Sequence, residues 1–493
     1  MQAYIKINEK DKVAVALRPL YVGENFTIDG KQIVLQQDIN QGHKFALEDI
    51  SVGEKIIKYG YPIGVATTNI KKGEWVHTHK MKTALKEKEE YSYQKVLDSL
   101  PKAKESFFKG YVRDDGKVAI RNEIWIIPTV GCVNGVVNAI EKKAQQEIYG
   151  TVEAIIGFNH PYGCSQMGDD QENTRHILAN LANHPNAAGV LILGLGCENS
   201  NVEEIKKYMG NFDTNRVRFL VSQEEEDEIE ASLDAIKELV EYAQKFHREE
   251  ISAKKLIVGM KCGGSDGLSG ITANTTVGAF SDILVAKGGT TILTEVPEMF
   301  GAETILMNRC ENIELFHKTE KMINDFKDYF TRHHQTIYEN PSPGNKMGGI
   351  SSLEDKSLGC TQKSGSAIIR GVLGYGEMVD TLGLNLLSAP GNDLVASTAL
   401  AAAGAHIVLF TTGRGTPFAC SVPTVKISSN TKLFDKKRNW IDFNAGRVVD
   451  DTTVEEMGKE LFDYVLKIAS GEKVKSEIDG YHDLTIFKQG VTL

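Results

Sequence analysis

The chain has 493 residues, more than one hydrophobic core accommodates, so about two to four domains are expected. Charged residues make up 25% and hydrophobic residues 41%, which is ordinary for a globular protein and excludes an intrinsically disordered one. A net charge of −10 without any block of Lys and Arg argues against nucleic-acid binding. Since no apolar run approaches the length of a membrane span and the N-terminus lacks a signal-peptide pattern, we expect a cytoplasmic protein without membrane contact.

Hydrophobic patterning predicts three domains. Residues 1–82 contain short alternating runs between glycines, which is typical of a small β domain. Residues 83–108 are charged and helix-prone, and we interpret them as a linker. In residues 109–250 and again in 251–493, apolar strand patterns alternate with polar turns and helical patterns. This alternation predicts two α/β domains with largely parallel sheets.

Three histidines of the β domain are candidate metal ligands. His43 follows a glycine, and His77 and His79 are two residues apart, so on a strand they would point to the same face. Neutral imidazoles bind metals and can also contact anions. Histidines are also common on half-exposed strands, and that alternative stays open.

The turn from His160 to Gln166 holds the densest group of reactive side chains. His160 can act as a general base near neutral pH, and a Cys164 thiolate can bind a borderline or soft divalent metal. The alternative is a polar turn around a buried cysteine. We favour a functional role, because burying so many hydrogen-bonding groups without a ligand is costly.

Seven scattered cysteines, an odd number, do not form a disulfide framework. Cys132, Cys164 and Cys197 each follow an apolar run of the second domain, so they could converge at one sheet edge. Three such thiolates would suit an iron–sulfur cluster or a thiolate-bound iron, although the close CxxC spacing of many cluster sites is absent.

Polar turns of the last domain are suited to a polyhydroxylated anion. Backbone N–H groups after Lys261 could form an anion nest, and Arg414 offers a guanidinium to a carboxylate. The turn is neither a Walker A motif nor GxGxxG, so no nucleotide is implied. Tight turns with solvated charges are the alternative. The candidate substrate-binding residues of these turns are Lys261, Ser265, Asp266, Asn392, Asp393 and Arg414.

Distributed sequence strings resemble the altronate/galactarate dehydratase family over essentially the full chain. They include Gly42-His43-Lys44-Phe45-Ala46-Leu47, Pro128-Thr129-Val130-Gly131-Cys132-Val133-Asn134, Tyr162-Gly163-Cys164-Ser165-Gln166, Gly194-Leu195-Gly196-Cys197-Glu198-Asn199, Gly263-Gly264-Ser265-Asp266-Gly267-Leu268, Glu295-Val296-Pro297-Glu298-Met299-Phe300-Gly301 and Leu358-Gly359-Cys360-Thr361-Gln362-Lys363. Two departures are Pro161, where Thr is expected, and Ala419-Cys420-Ser421, where a Gly-Gly-aromatic run is expected.

The resemblance implies a fold and an activity. The fold would be an N-terminal SAF-like β-clip domain followed by two α/β domains, the last of them Rossmann-like. The activity would be dehydration of D-altronate to 2-dehydro-3-deoxy-D-gluconate in hexuronate catabolism, helped by Fe²⁺ (or Mn²⁺), with no nucleotide or flavin. Galactarate or another sugar acid is an alternative substrate, and a non-catalytic sugar-acid-binding protein is the alternative from another class. We also expect a homo-oligomer, most simply a dimer.

This chemistry assigns hypothetical roles to the candidates. A divalent ion that chelates the carboxylate and the 2-hydroxyl would stabilise the charge that develops when the C2 proton leaves. We expect His43 with His77 or His79, and Cys164, to hold the metal. The expected catalytic residues are His160, Lys44 and Cys164, and the expected ligands of the substrate carboxylate are Lys261, Arg414 and Arg121.

Overall fold

The structure is a computed structural model that describes residues 2–85, 90–96, 100–147, 150 and 152–493. It confirms the predicted fold class, a small all-strand domain followed by α/β domains. Within the described part of the chain, no helix is long and apolar enough to cross a membrane.

The N-terminal domain consists of short antiparallel strands joined by glycine-containing turns. One sheet has the order β1-β2-β5-β8, another has the order β6-β7-β9, and β3 pairs with β4. The β2 strand is buried along its whole length, because Ala14 and Ala16 pack into a core of the N-terminal domain and Val13 and Val15 lie in clusters that include apolar residues of the third domain. The strands are β1 (Tyr4–Ile5), β2 (Val13–Ala16), β3 (Asn25–Ile28), β4 (Lys31–Val34), β5 (Lys44–Ala46), β6 (Lys55–Lys58), β7 (Tyr61–Ala66), β8 (Trp75–Val76) and β9 (Met81–Lys82).

The described residues of the predicted linker, 83–108, form neither a helix nor a strand up to Phe107, where the next strand begins. Residues 86–89 and 97–99 lie outside the described part of the chain, and the other residues from 83 to 106 are neither helical nor in a strand. Leu85, Tyr91, Tyr93 and Leu100 are partly buried against the core of the third domain. Contacts with that domain, including a hydrogen bond from Tyr93 Oη to the Cys310 carbonyl, therefore outweigh the local helix propensity.

The second domain has a four-stranded parallel sheet of order β13-β12-β14-β15, and a small antiparallel sheet of order β11-β10-β16. Its strands are β10 (Phe107–Val112), β11 (Val118–Ala119), β12 (Glu123–Pro128), β13 (Ile155–Gly157), β14 (Ala187–Gly194), β15 (Val217–Val221) and β16 (Glu249–Ser252). Its helices are α1 (Asn134–Glu147), α2 (Asp169–Ala182), α3 (Val202–Met209) and α4 (Glu228–Ala243).

The third domain is built on a seven-stranded parallel sheet of order β19-β20-β18-β17-β21-β22-β23. Its strands are β17 (Ile257–Cys262), β18 (Thr290–Leu293), β19 (Ile369–Leu373), β20 (Gly383–Leu387), β21 (Ile407–Thr412), β22 (Thr424–Ser428) and β23 (Phe443–Asn444). Its helices are α5 (Ala273–Ala286), α6 (Glu303–Met307), α7 (Ile313–Arg332), α8 (Pro343–Met347), α9 (Leu353–Cys360), α10 (Asp393–Ala402), α11 (Thr431–Lys436), α12 (Val454–Ala469) and α13 (Lys475–Ile478).

The order of this sheet positions the site. The chain runs from β17 outward to β18 and then returns to place β21 on the other side of β17. Such a reversal is characteristic of Rossmann-like sheets, and ligands bind in the crevice at the carboxyl ends of the strands that flank it. The loop after β17 and the loop after β21 lie at this crevice.

Candidate active site

A small polar cavity lies where the N-terminal domain meets the crevice of the third domain. Its volume of about 10 Å³ is room for about one water molecule. The N-terminal domain, the loop after β17, and α9 with the residues before it all contribute to the wall. The polar lining residues are Lys58, Tyr59, Ser265, Asp266, Ser269, Asn274, Asp355, Lys356 and Cys360. We call this space the interdomain cavity.

A tight hairpin turn presents Tyr59 to the cavity. Tyr59 and Gly60 connect β6 to β7 with φ values of 60° and 77°, so both residues are in the left-handed region. Two-residue hairpin turns of type I′ need this conformation at both positions, but it is uncommon for a tyrosine. A Cβ at Gly270 would lie 2.4 Å from the Tyr59 hydroxyl, so the glycine leaves the space that the phenol occupies. Burial raises the pKa of Tyr59 to about 12, and the phenol is protonated at neutral pH.

Asp355 at the cavity wall forms ion pairs with two lysines of the N-terminal domain. Lys44 Nζ lies 2.8 Å from Asp355 Oδ2, and Lys58 Nζ lies 2.9 Å from Asp355 Oδ1. Burial would raise the pKa of Asp355, but the two ammonium groups outweigh it and hold the carboxyl far below its usual range. This end of the cavity therefore carries two buried cations and one anion.

The two lysines respond differently to the same carboxylate. Burial lowers the pKa of Lys44 to about 8, although Asp355 opposes the shift. Burial acts on Lys58 too, but Asp355 and the Tyr59 phenol outweigh it, and the pKa of Lys58 lies above its ordinary value. One carboxylate cannot fully offset the burial of two ammonium groups.

Next to the cavity, two thiols and a carboxylate converge. Cys262 Sγ and Cys360 Sγ each lie 3.1 Å from Glu298 Oε2, and the two sulfur atoms are 3.3 Å apart. All three side chains are buried. In the described part of the chain they are the one group of three potential ligand residues whose donor atoms lie within 4.8 Å of one another. We call them the thiol–carboxylate cluster.

Lysines surround this cluster. Lys356 Nζ lies 2.7 Å from Glu298 Oε1, and with Lys363 it outweighs the effect of burial and lowers the pKa of Glu298 to about 2. Cys360 has a pKa well above its ordinary value, because its hydrogen bond with Cys262 and its burial both favour the neutral thiol. Glu295 pairs with Lys261 and Lys363 at 3.2 Å each, and Lys261 Nζ also lies 2.7 Å from Asp393 Oδ1. Each buried cation thus has an anionic partner.

Ser265 places an unpaired hydroxyl at the cavity wall. Its hydroxyl is buried at the cavity wall and has no hydrogen-bond partner within the protein. An unsatisfied buried polar group costs about 1–3 kcal/mol, so a bound group that pairs with it would be stabilised there. Nearby, Asp266 accepts hydrogen bonds from Ser269, Ser429 and Asn430, but burial outweighs them and raises its pKa.

The histidines of the N-terminal domain contact the third domain instead of forming a three-ligand group. Trp75 Nε1 donates to His43 Nδ1, which leaves the proton on Nε2, 3.2 Å from the Met347 carbonyl. His77 Nε2 lies 2.9 Å from the Lys346 carbonyl, and burial lowers the pKa of His77 to about 4. His79 is exposed and packs on Trp75. In this arrangement His43 and His77 hold α8 in place, and their ring nitrogens are engaged.

His160 and the three cysteines of the second domain lie at the carboxyl edge of its sheet, on the loops after β12, β13 and β14. His160 Nε2 donates to the Pro128 carbonyl at 2.7 Å, and Nδ1 accepts from the Tyr162 N–H, so both nitrogens bind backbone. Cys132, Cys164 and Cys197 are exposed. Their loops touch, since Ser200 N donates to the Gly163 carbonyl, but their sulfur atoms do not form a group within 4.8 Å.

Three of the expected substrate ligands do not line the interdomain cavity. Arg121 is buried and uses all five N–H donors on Glu477 and on the carbonyls of residues 120, 468 and 472, so it has no donor for a substrate. Asn392 caps α10. Arg414 is exposed, with Nη1 3.5 Å from the Gly344 carbonyl. Lys261, Ser265, Asp266 and Asp393, in contrast, lie in or beside the two groups described above.

No motif in the sequence identifies the thiol–carboxylate cluster or the residues that α9 supplies as site residues. Glu298 follows β18 closely and Cys262 ends β17, so the rule that ligands meet at strand ends could have found both. Asp355, Lys356 and Cys360 lie on a short helix far along the chain from β17, and no local pattern marks them.

Three family models match the chain. The model of the altronate/galactarate dehydratase SAF domain matches residues 2–84. The model of the D-galactarate dehydratase/altronate hydrolase second domain matches residues 110–244. The model of the D-galactarate/altronate dehydratase C-terminal domain matches residues 253–492. Together they account for nearly all of the chain.

Curated relatives match over full length. Altronate dehydratase of Bacillus subtilis (strain 168) is 52% identical over 100% of both chains. Altronate dehydratase of Escherichia coli (strain K12) is 50% identical over 99% of this chain and 100% of its own length. Galactarate dehydratase (L-threo-forming) of Escherichia coli (strain K12) is 34% identical over 95% of this chain and 93% of its own.

Proposed function

The chain belongs to the altronate/galactarate dehydratase family, and we propose that it is a hydro-lyase that converts D-altronate to 2-dehydro-3-deoxy-D-gluconate and water. The observation that carries the choice of substrate is the identity of 50–52% with two altronate dehydratases over full length. The identity with galactarate dehydratase is 34%, so galactarate is the weaker alternative.

We propose the interdomain cavity as the place where the sugar acid binds. Two buried ammonium groups share the single carboxylate of Asp355, so an incoming carboxylate would supply the anion that this end of the cavity lacks. The unpartnered Ser265 hydroxyl offers a hydrogen bond to a sugar hydroxyl. Because the cavity holds about one water molecule, the N-terminal domain must move away from α9 before a six-carbon acid can enter.

The elimination needs a base for the C2 proton and an acid for the departing 3-hydroxyl. Removal of the C2 proton places charge beside a carboxylate, and buried cations such as Lys58 and Lys356 stabilise that charge. We assign the base to Asp266, whose raised pKa makes it a better proton acceptor than Asp355. We assign the acid to the Tyr59 phenol, which faces the same cavity. Lys44 lies behind Asp355 and acts as a positioning residue.

We further propose a requirement for a divalent metal, Fe²⁺ (or Mn²⁺). The donor set that fits such an ion is the thiol–carboxylate cluster, since the nitrogens of His43 and His77 are engaged with other groups. An ion held there would act as a Lewis acid on the hydroxy acid.

The test is a substrate panel on protein purified without oxygen, with an assay for 2-keto-3-deoxy acids. We expect kcat/KM to be highest for D-altronate, with galactarate and other sugar acids at least about tenfold lower, which corresponds to about 1.4 kcal/mol of transition-state binding. A higher kcat/KM for galactarate than for D-altronate would instead identify the chain as a galactarate dehydratase. Thermal stabilisation by the acids without any turnover would indicate a binding protein instead.

A control separates the site from general effects. Lys356→Met removes a cavity ammonium and should abolish turnover, whereas Lys255→Met changes an exposed lysine and should leave it unchanged. Equal activity of the two variants would contradict the assignment of the cavity.

We also propose a cytoplasmic homodimer. All seven cysteines are free, which is consistent with a reducing compartment. Light scattering coupled to size-exclusion chromatography would give the mass, and a single-chain mass would contradict the dimer.

A further inference from the structure

We infer that Cys262, Glu298 and Cys360 bind one divalent transition-metal ion, with two thiolates and one carboxylate as ligands. The catalytic part of this inference, activation of the hydroxy acid, rests on the proposed function. The binding part stands on the arrangement of the three side chains alone.

The distances between the donor atoms are close to those that an ion requires. A tetrahedral ion with metal–sulfur bonds of about 2.3 Å and a metal–oxygen bond of about 2.1 Å sets the sulfurs about 3.8 Å apart and sulfur and oxygen about 3.6 Å apart. The observed separations are 3.3 Å between the sulfurs and 3.1 Å from each sulfur to Glu298 Oε2. Each atom needs to move by only a fraction of an ångström to accept the ion.

The charge balance also suits a divalent ion. Three ammonium groups, of Lys261, Lys356 and Lys363, face three carboxylates, of Glu295, Glu298 and Asp393. The formal charges of these six groups cancel. Two thiolate ligands would add two negative charges, and a divalent ion would balance them.

The donor type selects among metals. Sulfur ligands favour Fe²⁺, Co²⁺ and Zn²⁺ over Mg²⁺, Ca²⁺ and Mn²⁺. Three protein ligands leave further coordination positions for water or substrate, as in catalytic metal sites. Cys360 and the neighbouring Lys356 also line the interdomain cavity. The ion would thus be held beside the space in which the sugar acid binds, and Fe²⁺ would be preferred to Mn²⁺.

Cys132, Cys164 and Cys197 are the competing site for a thiolate-bound metal. These thiols are exposed, and no three donor atoms among them and their His, Asp or Glu neighbours lie within 4.8 Å in the described part of the chain. A single ion therefore fits the buried cluster better.

Cobalt titration of the full-length metal-free protein under anaerobic conditions tests the inference without reference to activity. We expect one Co²⁺ per chain and thiolate-to-cobalt charge-transfer absorption in the near ultraviolet. The double variant Cys262→Ser/Cys360→Ser should lose the absorption, and Glu298→Gln should weaken Co²⁺ binding by more than about 100-fold, because it removes a direct ligand. Cys310→Ser changes a buried cysteine outside the cluster and should bind as the unchanged protein does.

The triple variant Cys132→Ser/Cys164→Ser/Cys197→Ser decides between the two sites. It should retain the full charge-transfer band. Loss of the band in this variant, with retention in Cys262→Ser/Cys360→Ser, would overturn the inference. If the double variant does not fold, Glu298→Gln alone decides the question. Unchanged Co²⁺ affinity in Glu298→Gln would also overturn the inference. Absence of altronate turnover with an intact band would reject the proposed function and leave the metal site standing.

Discussion

Lys58 at the end of a strand of the N-terminal domain lies 2.9 Å from the carboxylate of Asp355 in the third domain, 297 residues further along the chain. Lys44 approaches the other oxygen of the same carboxylate. These contacts join the two domains at the interdomain cavity. They also make Asp355 the single anion between two buried cations.

Asp355→Asn should therefore be strongly destabilising. The variant leaves two buried ammonium groups without their counter-ion, and breaking a buried pair in this way costs about 3–5 kcal/mol. We expect a clearly lower melting temperature and loss of turnover. Asp49→Asn removes an exposed partner of Lys71 and serves as the control, with little change in melting temperature because exposed ion pairs contribute little to stability. Similar melting temperatures for the two variants would contradict the role of Asp355.

The free energy of unfolding should depend on pH in the range between the pKa of His160 in the unfolded chain and its pKa in the folded protein. Burial lowers the pKa of His160 from 6.5 to about 4. The unfolded chain therefore binds the proton first as the pH falls, and the stability that the neutral imidazole contributes is present above pH 6.5 and lost as the pH falls to 4. The loss approaches about 3 kcal/mol, from 1.36 kcal/mol per pKa unit.

Denaturation of His160→Gln at pH 7.5 and pH 5 measures this dependence. Between pH 7.5 and pH 5, His160→Gln should lose less free energy of unfolding than the unchanged protein. His317→Gln changes an exposed histidine and should behave as the unchanged protein does. His160→Gln also tests the catalytic role expected from the sequence. A large fall in kcat at pH 7.5 with little loss of stability would support that role, and an unchanged kcat would remove it.

The strand-end rule explains how much of the site could be predicted. Lys261 and Asp266 are candidates because polar turns at the ends of parallel strands often bind ligands, and the structure places Lys261 near the end of β17 and Asp266 in the loop after it, at the crevice where the strand order reverses. The same rule selected the loops of Cys132 and Cys164, which do lie at one sheet edge. The strand pattern in the sequence shows which residues lie at strand ends, and the parallel sheet brings those residues together at one edge.

Contacts between domains could not be predicted in this way. His43 and His77 looked like metal ligands because both are imidazoles of one small domain, but their nitrogens bind Trp75, Thr78 and the backbone of α8. Asp355 and Cys360 lie on one short helix, but Asp355 pairs with lysines 297 and 311 residues away, and Cys360 contacts Glu298 and Cys262, 62 and 98 residues away. No local periodicity shows which domain surface such a helix faces.

Ser265→Ala should affect binding without affecting stability. The Ser265 hydroxyl has no partner within the protein, so its removal should leave the melting temperature unchanged or slightly raised. Loss of one hydrogen bond to the substrate should raise KM for D-altronate by about 5- to 10-fold, corresponding to about 1 kcal/mol. Ser421→Ala is the matched control, because its hydroxyl is also buried and unpartnered but lines a different pocket. An equal KM in both variants would contradict a substrate contact at Ser265.

Tyr59→Phe and Asp266→Asn should separate the two proton transfers. Removal of the acid should lower kcat by about 10²–10⁴-fold while exchange of the C2 proton with deuterated solvent continues. Removal of the base should abolish the exchange together with turnover. Tyr61→Phe, on the same hairpin but exposed, should change neither property. Loss of exchange in Tyr59→Phe with retention in Asp266→Asn would reverse the two assignments.

Removal of divalent metal should abolish turnover, and the order in which metals restore it should follow from sulfur ligation. Fe²⁺ should restore activity at lower concentration than Mn²⁺, because thiolates bind Mn²⁺ weakly. Zn²⁺ should compete with Fe²⁺ for the site, since it binds such donors more tightly, and the competition should be visible as displacement of bound iron in equilibrium dialysis. Glu298→Gln should shift the Fe²⁺ concentration for half-maximal activity upward, whereas Cys164→Ser should not. Full turnover in protein shown by elemental analysis to contain no metal would remove the Lewis acid from the reaction.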